Sequence, residues 1–182
     1  MSKVLEELLS YPLSMIIEEF LKNPSQEYYL RELARKLGLG SRTVKEYCDI
    51  LVQDGIILER RKGNLRLFKL NNKSLLVKEL IRAYYYTLMI IGGIEKLSEG
   101  TIAVYGDFAS GNIFENSEVK ILIISSKYKI NEEILRRLES VLERKTKILI
   151  VSPEDWERMK NLNDPLAKEI IKNHILVKGD YF

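Results

Sequence analysis

The chain has 182 residues, room for one medium domain or two small ones. Its 29 Lys and Arg face 26 Asp and Glu, a net charge of +3 that by itself does not announce a nucleic-acid binder, and 46% hydrophobic with 30% charged residues is a globular mixture rather than a disordered one. A single cysteine, Cys48, and a single histidine, His174, exclude an internal disulfide, a Cys-based zinc site and any site that needs two His ligands.

The opening segment MSKVLEELL is not expected to be a signal peptide, because acids interrupt its apolar run. Residues 13–22 (LSMIIEEFLK) repeat apolar side chains at helical spacing, with Leu13, Ile16, Ile17, Phe20 and Leu21 on one stripe, and stop before Asn23-Pro24. A second helix is expected over 28–37, with Leu30, Leu33, Ala34 and Leu37 inward, broken by Gly38-Leu39-Gly40. Ser41 is a candidate cap for a third helix over 42–53, whose inner face carries Val44, Tyr47, Cys48 and Leu51. Two strands, 56–60 and 65–70, then flank the polar turn Arg61-Lys62-Gly63-Asn64.

The segment LRELARKLGLGSRTVKEYCDILVQDGII closely resembles winged helix-turn-helix transcriptional regulators, over about residues 10–72. The resemblance implies double-stranded DNA as partner. Ser41, Arg42, Thr43 and Lys45 then fall at the helix end that enters the major groove, and Arg60, Arg61, Lys62, Asn64 and Arg66 on the wing. The charge distribution agrees with it. Residues 1–27 are net −3, residues 74–182 are balanced, and the whole basic excess, net +6, lies in residues 28–73. The bland alternatives are a solvated helix face and an edge strand guarded by cations.

A long helix is expected over 74–98, through the aromatic run Tyr84-Tyr85-Tyr86, with Gly92-Gly93 weakening its end. Its longest uncharged run is 12 residues, against about 20 for a membrane span, so no membrane partner is expected and the chain reads as cytoplasmic. Beyond it come strand 101–105, a glycine-bearing turn 106–111, strand 119–125, helix 131–144, strand 146–151, helices 153–161 and 165–173, and strand 175–178. Trp156, Met159 and Leu162 are read as one packed helix face, and scarce Gln with abundant Ile, Lys and Glu leans toward a thermophilic source.

The stretch IAVYGDFASGNIFENSEVKILII resembles the small nucleotidyltransferase fold of the DNA polymerase β type, and the similarity extends over about residues 80–180. In that family a strand leads into Gly-Ser-x-x-x-Gly, then Ser-Asp-x-Asp heads the next strand, and a third acid lies on a later one; the three carboxylates hold two metal ions. Here Gly106 and Gly111 keep the glycines. Asp107 takes the serine position, Glu118 the first carboxylate, Lys120 the second and Lys147 the third. Two cations in place of ligands point to lost metal chemistry, with no metal and no cofactor, and to a site open to a nucleotide or other anion as effector.

The expected architecture is α+β: a winged helix-turn-helix at 1–73, a connecting helix at 74–99, and a small α/β nucleotidyltransferase-like domain with a mixed sheet at 100–182. The functional expectation is a DNA-binding transcriptional regulator whose second domain is a pseudoenzyme, homodimeric through the 74–98 helix. The rival is an active nucleotidyltransferase built on Glu118, with the winged helix positioning a substrate; a third reading is a protein-interaction module.

Overall fold

A computed structural model describes residues 11–114 and 116–180. The reading of the first nine residues, and Glu115 of the nucleotidyltransferase-like segment, lie outside the described residues. The chain is mixed α+β and divides into two compact units, Met1–Leu80 and Ile81–Phe182.

In the first unit, α1 (Leu13–Lys22) buries Ile16, Phe20 and Leu21, three members of the expected stripe. The second helix begins later than its apolar spacing suggested. Residues Glu27–Tyr29 form a short strand, β1, and only Leu30–Leu37 is helical, as α2. The reason is tertiary: Tyr28 pairs with Phe68 across the sheet, and its ring meets Phe20 edge-on with centroids 5.4 Å apart. Gly38, at φ 65°, ends α2, with the Leu39 N–H reaching back 2.9 Å to the Ala34 carbonyl.

Helix α3 (Ser41–Gln53) follows, burying Val44, Cys48 and Leu51. Ser41 is not its cap. Gly40, extended at φ −65° and ψ 138°, takes the capping position and makes no side-chain bond, so Ser41 is already the first helical residue. Strands β2 (Ile57–Lys62) and β3 (Leu65–Leu70) run further toward each other than expected, joined by Gly63-Asn64 alone. Gly63 at φ 60° supplies the left-handed residue that a two-residue hairpin turn requires. The sheet is antiparallel in the order β1-β3-β2.

One buried acid ties this unit together. Glu19 is 9% exposed, accepts hydrogen bonds from the Tyr28 hydroxyl and from Asn23 Nδ2 at 2.9 Å, and pairs with Lys36 Nζ at 2.6 Å. It thereby links α1, β1 and α2, and three partners offset the cost of taking a carboxylate out of water. Burial and the bond to Glu19 push the Tyr28 hydroxyl above the ordinary tyrosine range.

Helix α4 (Leu75–Gly92) stops short of the expected residue 98. Gly93, at φ 84°, breaks it, and Ile94–Lys96 continue as a single 3-10 turn. The division between the two units falls within α4. Among the described residues no helix is long and apolar enough to cross a membrane.

The second unit is built on β4 (Thr101–Tyr105), β5 (Val119–Ile124), β6 (Thr146–Val151) and β7 (His174–Lys178), in the order β6-β5-β4-β7. Strand β4 is antiparallel to β5 and β7, while β5 and β6 are parallel, so the sheet is mixed. The turn after β4 contains a single helical turn, α5 (Asp107–Ser110), and α6 (Glu132–Leu142) makes the crossover from β5 to β6. Helices α7 (Pro153–Asn161) and α8 (Pro165–Lys172) lead back to β7. Tyr105, Leu122 and Val151 on one sheet face pack with Trp156, Ala167 and Ile170. Met159 joins that cluster, but Leu162 is exposed: it lies six residues past Trp156, which is about 240° around the helix.

Gly100, just before β4, is enforced by close backbone approach, since an added Cβ would lie 2.1 Å from the Ile124 carbonyl oxygen. A Gly100→Ala variant is expected to lose about 1–3 kcal/mol of stability by urea denaturation, because the obstructing atom is backbone and cannot swing away.

Candidate functional site

Two regions collect the residues singled out from the sequence. The first is the outward side of α3 with the β2–β3 hairpin. Arg42 and Lys45 lie on the exposed face of α3, each held by a carboxylate one turn on: Arg42 Nε to Glu46 at 3.0 Å and Lys45 Nζ to Asp49 at 3.0 Å. The Arg42 side chain is 92% exposed, so such pairing is worth only a few tenths of a kcal/mol and yields readily to a better anion. Ser41 is exposed and Thr43 half-buried at the same helix end.

The hairpin cations differ sharply among themselves. Lys62 and Asn64 are exposed at the tip, and Arg61 makes only a loose contact with Glu59 at 3.7 Å. Arg60 instead lies along Glu27 of β1, its Nε within 3.0 Å of one carboxylate oxygen and 3.1 Å of the other. Arg66 is the most constrained. Its side chain is 22% exposed, its Nη2 donates to Asp49 at 2.5 Å and to Glu59 at 2.6 Å, and its guanidinium lies over the Phe68 ring at 4.9 Å. It joins β3 to both α3 and β2. Arg66 therefore holds the hairpin against the helix, a role its sequence neighbourhood did not reveal, because Asp49 is 17 residues away.

Cys48 lies beneath this face, and burial pushes its thiol up to about 12, so it is an inert core group.

The second region is one end of the mixed sheet. The strand register aligns Lys147 with Lys120, Lys120 with Tyr105, and Tyr105 with His174. Laterally paired residues share a sheet face, so these four form one row across all four strands, on the face packed by α7 and α8, one step beyond Leu122 and Leu149. Lys120 is half-buried with Nζ 6.0 Å from the centre of the Tyr105 ring, and Lys147 is exposed. Burial raises the Tyr105 hydroxyl above its ordinary value, with Glu169 adding to the effect. His174 Nδ1 lies 3.0 Å from the Ile170 carbonyl; a carbonyl only accepts, so Nδ1 carries the proton and Nε2 is the other ring nitrogen.

Around this row, Gly106 adopts φ 74°, and a Cβ there would meet the Lys120 side chain at 3.2 Å. Gly111, at φ 70°, closes α5. Asp107 is engaged elsewhere, its carboxylate accepting the Ser117 hydroxyl at 2.6 Å, and Glu118 is exposed. The two metal ions that the nucleotidyltransferase resemblance implies do not fit these residues. Ammonium groups occupy two ligand positions, and among the described residues no group of three or more His, Cys, Asp or Glu is placed to hold a metal ion. No catalytic step is assigned to this end of the sheet.

At the opposite end, a cleft of about 710 Å³ is lined by residues including Glu99, Asn131 and Lys178. Two of its lysines are engaged internally: Lys127 pairs with Glu99 at 2.7 Å, and Lys178 donates to the Ser98 and Glu95 carbonyls at 3.0 and 3.3 Å.

No protein-family model matches the chain, and no curated protein matches it.

The Arg66 clamp has a pH signature. Arg66 holds the carboxyls of Asp49 and Glu59 below their ordinary values, chiefly by hydrogen bonding. The unfolded chain then binds more protons than the folded one in acid, so the clamp's contribution is complete above about pH 5 and fades as pH falls through the lowered values. Arg66→Ala is expected to cost about 1–2 kcal/mol at pH 7 and progressively less toward pH 3, whereas Lys62→Ala is neutral at both, as urea titrations across that range will report.

Proposed function

We propose that the protein is a DNA-binding transcriptional regulator of the cytoplasm. On this reading the first unit is a winged helix-turn-helix, and the second is a nucleotidyltransferase-like unit without metal-dependent catalysis that serves dimerisation and effector binding. The observation that carries the DNA reading is the shared placement of outward cations on α3 and the hairpin tip: Arg42, Lys45, Arg61 and Lys62 all project from one compact unit that holds the whole basic excess of the chain. Such cations neutralise phosphates and supply most of the affinity, and a helix end flanked by them is the part that reaches base edges. Arg60, paired with Glu27, and Arg66, paired with Asp49 and Glu59, also brace the hairpin that presents these cations.

The homodimer reading is supported by the outward face of α4. Val77, Ile81, Tyr85 and Met89 are buried at a spacing of four, while Leu75, Leu76, Ile90 and Ile91 on the other side are exposed. Ile90 and Ile91 belong to the second unit, and an exposed apolar pair on a helix surface of that unit is what an isologous contact between two copies covers.

Two measurements test the reading. Gel shifts over a salt series on a genomic fragment pool are expected to show a steep fall of affinity with salt, a slope reduced by about 1 in each of Arg61→Ala and Lys62→Ala, and a loss of about 1–3 kcal/mol in Arg42→Ala on the selected sequence; a salt-independent or absent shift defeats it. Light scattering at micromolar concentration is expected to give a dimer that Ile90→Glu converts to a monomer, with unchanged circular dichroism.

A further inference from the structure

The buried residues Val44, Cys48 and Leu51 define the inner direction of α3. At 100° per residue, Glu46 lies within about 15° of the line opposite them and Arg42 within about 30°, whereas Lys45 is about 90° away from it. The midline of the outward face therefore runs through Arg42, Glu46 and the uncharged Gln53, and Lys45 projects from its flank. The Glu46 side chain is 57% exposed, and its partner is Arg42, at 3.0 Å. The other acid near that midline is committed: Asp49 accepts from Arg66 of the hairpin and from Lys45 one turn back. Glu46 is thus a carboxylate presented at the centre of a face that lies in the basic segment, net +6 over residues 28–73.

An acid in that place runs against the needs of phosphate binding. A carboxylate brought against the DNA backbone is repelled, and is stripped of water without gaining a donor. The floor of the major groove differs, because its base edges include donors. Cytosine N4 and adenine N6 donate, while guanine offers only acceptors and thymine an acceptor and a methyl group. A carboxylate only accepts, so it opposes guanine and thymine. Adenine sets the acceptor N7 beside its donor, which repels the second carboxylate oxygen; cytosine presents its donor alone. Arg42 has the opposite need, since a guanidinium pairs with O6 and N7 of guanine. Four residues of helix separate the two side chains by about 6 Å along its axis, close to two base-pair steps.

We propose that Glu46 is a specificity-determining residue that reads the N4 amine of a cytosine, within two base pairs of a guanine held by Arg42. The Arg42–Glu46 pair opens on binding, and each side chain exchanges the other for a base edge. The proposal rests on the reading of the first unit as a DNA-binding winged helix whose α3 enters the major groove. It adds the base that is selected, and a residue whose charge lowers general affinity while it raises discrimination.

The test is selection of bound sequences from a random duplex library by the full chain, followed by competition gel shifts on the selected duplex. The wild-type chain is expected to enrich a cytosine at one position, preferred at least about fivefold over guanine and thymine. Glu46→Ala is expected to flatten that preference and to leave the guanine assigned to Arg42 in place. The same variant is expected to bind random duplex more tightly than the wild type at low salt, because a negative charge has left the interface. Glu46→Gln is expected to move the preference to adenine, whose N6 and N7 an amide pairs. Glu46 is exposed, so both variants keep the circular dichroism of the wild type. A Glu46→Ala chain with unchanged base preferences overturns the proposal, and so does one that loses only the guanine, which makes Glu46 a brace for Arg42. The two readings fail separately: a wild-type chain that enriches no sequence and shows no salt-dependent shift sinks the regulator reading and this proposal together, whereas an enriched sequence indifferent to Glu46 sinks this proposal alone.

Discussion

Strand β5 is the constraint on which the second unit depends. Ile121, Leu122 and Ile123 are fully buried, so the strand is covered on both faces and cannot slip by one residue without driving Lys120 into the core. Its neighbours are thereby placed. The antiparallel pairing fixes Tyr105 opposite Lys120, and the parallel pairing, which demands the α6 crossover, fixes Lys147 on the other side. The ionic character of that end of the sheet is a consequence of packing the apolar residues one step further in.

The first unit is organised by charge pairs instead. Glu19 gathers α1, β1 and α2 beneath the surface, and Arg66 gathers α3, β2 and β3 beside it. A unit this small has a modest core, and partly buried, multiply bonded ion pairs give it fixed helix and hairpin positions that apolar contacts alone leave loose. The cost is that some cations are committed inward. On the proposed reading the basic excess therefore divides into bracing groups, Arg60 and Arg66, and outward ones, Arg42, Lys45, Arg61 and Lys62.

Much of the secondary structure was legible because its signals are local. The apolar stripe of α1, the Pro153 start of α7 and the near-continuous apolar strands β4 and β5 each need only a few adjacent residues to declare themselves. What was not legible depended on distant partners. Tyr28 reads as helical until Phe68 is placed beside it, and Ser41 reads as a cap until Gly40 takes the extended conformation. The candidate site divides in the same way. Lys120 and Lys147 followed from a resemblance of motif, but Tyr105 and His174 carry no sequence signal that joins them to it, since they are 69 positions apart and meet only through β4–β7 pairing.

The sequence by itself determined the α+β composition and the concentration of basic charge in residues 28–73, because both are properties of residue identity and short-range pattern. Only the tertiary structure decided which cations are spent and which are presented, and which residues share the end of the sheet. Pairing and register bring together groups far apart in the chain, and no local pattern encodes which of several carboxylates a given arginine or lysine will meet.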